Sequence, residues 1–235
     1  MNSKPRPTSL AREICTKGII LIEGRTGEMF LRELIEKDLK LADKVEARTF
    51  GEKEKSNQTL FLNVFATKSE FRQQVERLGI IRDAETGVGA KAFAEVASAI
   101  NAFNKQNFQF KLPVPAAINT ITTEAGSKVQ VAVFVLPDCK QPGMLETLCL
   151  NAVEELERSG HAKEKVLPCS RDFFKCLEGQ GRKPGNPAKA NFAAYALAMD
   201  VIDPQLGRAA QKGAIPWHAK TFDSLKNFVQ MVANG

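Results

Sequence analysis

The sequence predicts an α/β fold: a mainly parallel sheet flanked by helices, with a helical C-terminal region. Three observations predict it. β-Branched, aliphatic runs alternate with helix-period segments up to residue 160; those runs are nearly continuous, as in strands covered on both faces; and no strong strand signal follows residue 164. Strands separated by helices require βαβ crossovers, which set neighbouring strands parallel.

The first strand is read in "KGIILIEG" (17–24). In "GEMFLRELIEKDLK", Met29, Phe30, Leu31, Leu34, Ile35 and Leu39 then recur largely at helical spacing. "KVEARTFG" (44–51) is a second strand, and "TLFLNVFA" after it fits strand or helix. "FRQQVERLGIIRDAE" carries a third strand to Asp83-Ala84-Glu85, and the alanine-rich "GAKAFAEVASAINAFNKQ" follows as a long helix. Residues 107–127, with Pro113, Pro115 and a threonine cluster, hold an edge strand or a loop. "KVQVAVFVLPD" (128–138) is the clearest strand, and "GMLETLCLNAVEELERSG" is a helix with Gly160 past its end. Beyond it, "RDFFKCLEG", "PAKANFAAYALAMDV", "QLGRAAQKG" and "TFDSLKNFVQMVA" read as helices around the basic "GQGRKPGNP". The expected organisation is one domain over 1–235, with a sheet core at 14–160 and a helical extension at 161–235 packed on it.

Hydrophobic residues at 43% and charged residues at 26% are the proportions of a soluble globular protein. No apolar stretch approaches the roughly 18 residues of a bilayer span, and "MNSKPRPTSLAR" has no hydrophobic region behind it, so a cytoplasmic protein with no membrane partner is expected. The net charge of +6 favours polyanionic partners. Five cysteines without a CxxC pair suggest reduced thiols, with Cys169 and Cys176 as buried packing residues. His161 and His218 lie far apart and read as structural or surface residues. There is no GxxxxGK[ST] motif.

The chemistry is concentrated at strand ends. Glu23, then Asp83 with Glu85, then Asp138 each close a predicted strand, and Glu146 lies in the helix after the last. In an open parallel sheet this edge collects ligands. A lone acid there reads as a helix cap or a solvated group; several together repel, and a divalent cation relieves them. Oxygen-only ligands suit Mg2+ or Mn2+. Asp83 and Glu85 are two apart, a spacing that in an extended chain aims both carboxylates to one side. Gly24, Arg25 and Gly27, around the small Thr26, are candidate phosphate-binding positions at the start of the next helix. "GVGAKA" (87–92) also fits a dinucleotide fingerprint, but no convincing strand ends on an acid about 20 residues later. Lys163, Lys165, Arg171, Lys175, Arg182, Lys183 and Lys189 form a basic stretch that reads either as a solvated face or as a phosphate-backbone track.

An EG turn after the first strand, followed by an acid pair ending a later one, resembles the Toprim fold, a Rossmannoid sheet found in topoisomerases, primases and overcoming-lysogenization-defect nucleases. The chain looks closer still to a family of uncharacterised Toprim-related bacterial domains, with "IEG", "GIIRDAE" and "LPDCKQPGMLE" in this order. The resemblance implies that Glu23 is a general acid/base or metal ligand and that Asp83 and Glu85 bind magnesium. It further implies Glu146 as an additional metal-site acid and Lys189 as a catalytic lysine. The implied function is Mg2+-dependent phosphodiester processing by a nuclease or nucleotidyl hydrolase acting on nucleic acid or a nucleotide. The alternatives are a non-catalytic metal-dependent nucleic-acid or nucleotide-binding module in a defence or regulatory complex, and a structural protein that keeps only the fold.

Overall fold

The first apolar run forms β1 (Gly18–Ile22), buried along its length, in a computed structural model that describes residues 12–50, 62, 65–161 and 165–235. It leads into α1 (Gly24–Glu33), which a π-helical turn at Leu34–Asp38 prolongs, and then β2 (Val45–Thr49). Next come α2 (Ser69–Gln74), β3 (Arg77–Asp83), α3 (Gly89–Gln106), the short β4 (Ile121–Thr122) and β5 (Gln130–Leu136). Helices complete the chain: α4 (Leu145–Arg158), α5 (Val166–Gly179), α6 (Pro187–Ala198), α7 (Leu206–Gln211), a 3-10 turn at Lys220–Phe222 and α8 (Asp223–Asn234).

The sheet runs β2-β1-β3-β5-β4, with the first four strands parallel and β4 antiparallel at the edge. From β1 the chain moves outward to β2, then returns across β1 to β3. The strand order therefore reverses between β1 and β3, the place where an open α/β sheet leaves a crevice at its carboxyl edge.

Strand alternation divides the core into two layers. Ile20, Ile22, Ile81, Phe134 and Leu136 face α1, α4 and the C-terminal helices, while Ile19, Leu21, Leu78, Ile80, Val131, Val133 and Val135 face α2 and α3. In α8, Leu225, Phe228, Val229 and Val232 recur at the spacing of one helix face, and all are buried. Gly79 is small because this helix lies so near: a Cβ there would stand 2.9 Å from Val232 Cγ2 and 3.1 Å from Phe228 Cζ. Arg77 ties the helix end to the sheet, Nε donating to the Val232 carbonyl at 2.7 Å and Nη2 to the Ala233 carbonyl at 3.0 Å.

The ambiguous 107–127 region resolves as loop with a two-residue edge strand. Most of "TLFLNVFA" lies outside the described residues, although Leu62 and Phe65 are helical and buried. Cys169 and Cys176 are exposed rather than buried, because α5 turns little more than Leu167 and Ser170 inward. Among the described residues, no helix is long and apolar enough to cross a membrane.

Candidate functional site at the sheet switch point

The register of the two central strands builds the site. Ile22 of β1 pairs with Ile81 of β3, so one step further Glu23 lies beside Arg82. Glu23 occupies the N-cap position of α1, yet its carboxylate makes no capping bond. Instead its Oε2 accepts from Arg82 Nη1, with the two side chains only 15% and 14% exposed. The other guanidinium nitrogen, Nη2, stands 3.6 Å from Glu95 Oε2 on α3. Sequence reasoning missed Arg82, since its role becomes visible only once β1 and β3 are known to pair in this register.

Successive side chains on β3 point to opposite faces, so Asp83 turns away from Arg82 and toward α4. Its Oδ1 accepts the Leu145 N–H at 3.1 Å. Burial, followed by the charges of Glu146 and Glu23, pushes its carboxyl up to about 7, against the opposing pull of the Leu145 amide and Arg82. Asp83 is the most strongly perturbed acid at this edge and sits at the switch point, a combination typical of functional groups. Glu146 follows Leu145 in the first turn of α4 and is half-buried.

The other predicted acids are placed differently. β3 ends at Asp83, and Glu85 adopts a left-handed conformation with φ +54, its N–H donating to the Gly143 carbonyl at 2.8 Å. The same-side argument for Asp83 and Glu85 therefore does not hold, because the chain leaves the extended conformation between them. Asp138 is exposed, and its Oδ1 accepts the Lys140 and Gln141 amides at 3.0 and 2.7 Å, which holds the turn after β5. Gly24 has φ +73 and turns the chain into α1, while Arg25 is exposed. Gly27 has a packing reason instead: a Cβ there would press on Ile22 at 3.0 Å. Among the described residues, no three His, Cys, Asp or Glu side chains are grouped so that they hold a metal as they stand. Strand alternation explains this, sending Glu23 and Asp83 to opposite faces with Arg82 already on the former.

The model of a protein family of unknown function, DUF3226, matches residues 17–234. The chain belongs to the DUF3226 family. The match runs from the start of β1 to the end of α8 and takes in Glu23, Arg82, Asp83 and Glu146. No curated protein and no solved structure matches the sequence.

In this DUF3226 domain the basic stretch adjoins the acids through one loop. Asn186 caps α6, its Oδ1 accepting the Lys189 amide at 3.0 Å, while its Nδ2 lies 3.6 Å from Met144 Sδ. Met144 is in turn the N-cap of α4, immediately before Leu145 and Glu146. Arg182, Lys183 and Lys189 are exposed on this segment, with Lys183 Nζ 4.0 Å from Glu178. Arg171 and Lys175 are engaged on the helix surface, 3.3 Å from Glu154 and 3.5 Å from Asp172. Lys163 lies outside the described residues.

Proposed function

We propose that the chain is a Mg2+-dependent, Toprim-like phosphodiester-processing protein, a nuclease or nucleotidyl hydrolase that also works with Mn2+. The observation that carries this reading is Asp83 at the switch point, held near neutrality by burial and by Glu146 and Glu23. Two features fit a hard divalent cation: the donors are all carboxylate oxygens, and the charges of Glu146 and Glu23 add to the burial that raises the Asp83 carboxyl, a repulsion that a cation relieves. Asp83 and Glu146 are the residues to hold it, with Glu85 and Asp138 on the flanking loops. A bound cation supplies charge stabilisation for a phosphate oxygen. Glu23 serves as the proton acceptor at the site, the α1 N-terminus at Gly24 and Arg25 receives phosphate, and Lys189 with Arg182, Lys183, Arg171 and Lys175 guides a polyanion along α5 and α6.

Incubation of labelled single- and double-stranded DNA and RNA with Mg2+ or Mn2+ tests this. Cleavage lost in Glu23→Gln is expected; absence of cleavage by the wild type, or cleavage indifferent to Glu23→Gln, rejects catalysis. A second reading, a non-catalytic metal-dependent nucleic-acid or nucleotide-binding module, is favoured by the pairing of Glu23 with Arg82, which occupies the proposed proton acceptor. Under that reading binding survives Glu23→Gln but weakens in Arg182→Ala, Lys183→Ala and Lys189→Ala, with a shallower salt dependence.

A further inference from the structure

Helix α5 carries an aromatic ring that the packing of the domain does not use. It buries only Leu167 and Ser170, while Phe173 is left 57% exposed. Cys169 and Cys176 lie four residues before and three after, on the same face of the helix, and both are exposed. Phe173 is thus the centre of a short apolar strip. The half-buried Phe174 meets its ring edge-on, centroids 5.2 Å apart at 66°, which restricts the swing of the exposed ring.

The strip lies in a cationic surrounding. Lys165, Arg171, Lys175, Arg182, Lys183 and Lys189 are all exposed, against only Asp172 and Glu178 between residues 165 and 189. The acids do not neutralise them firmly: Lys175 stands 3.5 Å from Asp172 with both side chains more than 75% exposed, and Lys183 stands 4.0 Å from Glu178. Pairs so open to water contribute little, so a phosphate can take the place of either carboxylate. Size narrows the ligand further. One ring and two thiols are far less than the roughly 800 Å2 that each partner covers in a standard protein interface, but a single ring is enough for one base.

Resting on the nucleic-acid reading above, we propose that α5 is a single-strand platform, on which Phe173 stacks with an unpaired base while Arg182, Lys183 and Lys189 hold neighbouring phosphates. The end of α5 is six residues beyond Phe173, about 9 Å along the axis, so one short strand reaches both the ring and the cations of the following loop. A duplex offers the same phosphates but keeps its base faces stacked inside, and therefore gains nothing from the ring. Charge attracts either form; the ring selects the single strand.

Fluorescence anisotropy of the full chain with a labelled oligothymidylate, and with a duplex of equal length, tests this in the presence of a chelator so that no cleavage intervenes. Tighter binding of the single strand is expected. Phe173→Ala and Phe173→Leu should each weaken single-strand binding by about tenfold with the salt slope unchanged, and Phe173→Tyr should retain it. Arg182→Ala should instead weaken both forms and reduce the slope by about one. Equal affinity for the two forms, or single-strand binding unchanged in Phe173→Ala, overturns the platform and leaves the polyanion track standing. Full retention in Phe173→Leu, as an apolar strip for a protein partner would allow, also overturns stacking. Binding of neither form overturns the track and this inference together.

Discussion

Replacing Asp83 by Asn should stabilise the protein in a pH-dependent way. The carboxyl is raised from 3.8 to about 7, so between those values the folded state binds more protons than the unfolded chain. Stability therefore falls as pH rises through this window and levels off above about 7. A shift of about 3 units at about 1.4 kcal/mol each corresponds to a penalty on the order of 4 kcal/mol at pH 8, an upper value because interior relaxation softens it. Asn cannot ionise, and its oxygen can still accept the Leu145 amide. Urea unfolding in the presence of a chelator should give similar stabilities for wild type and Asp83→Asn at pH 4, and a variant about 2–4 kcal/mol more stable at pH 8. Saturating Mn2+ should close that gap by stabilising the wild type alone, by about 2.7 kcal/mol at a hundredfold excess over Kd. Equal stabilities at pH 8, or a wild type that gains on the variant as pH rises, would refute the assignment of a strained carboxylate here.

Metal uptake by the wild type should strengthen by up to about tenfold per pH unit between pH 5 and 7 and then flatten, as one proton is displaced from Asp83, measurable by Mn2+ titration at several pH values. Gly89→Ala places a Cβ 2.6 Å from the Cys139 carbonyl oxygen, so the start of α3 must shift away from the loop after β5. A loss of about 1–3 kcal/mol is expected in chemical denaturation, and an unchanged midpoint would contradict the closeness of that packing. Phe228→Ala empties a fully buried position against Phe134, whose ring centroid lies 5.4 Å away, and should cost about 3–5 kcal/mol.

Element type was legible in the sequence wherever the apolar period was long. β1, β3 and β5 appeared as continuous aliphatic runs because both faces of the central strands are covered, and α3 was visible as an uninterrupted alanine-rich helix from residue 89. The helices after residue 164 were equally plain, and so was their packing on the sheet as a group, but not which of them lies over Gly79 of β3. The acids were recognised after the strands, and the charges of Glu146 and Glu23 do bear on Asp83. What the sequence could not show depends on backbone detail and pairing: the left-handed Glu85, the turn-holding contacts of Asp138, and above all Arg82. A basic residue preceding an acid at the end of a strand carries no signal until the neighbouring strand and its register are known. Cys169 and Cys176 misled because seven-residue spacing suggests a shared buried face, whereas α5 presents both to solvent.

The position of α8 has a consequence for how the chain reaches its native state. Phe228 and Val232 complete the layer over Gly79 in β3, about 150 residues after that strand, so one side of the central sheet lacks part of its cover until the segment at 223–234 has been made. During synthesis the strands can pair early, yet their aliphatic surface remains partly open to other chains until this helix arrives. A protein stopped short of residue 223 should therefore fail by aggregation, its sheet still open on the side that Phe228 and Val232 would close.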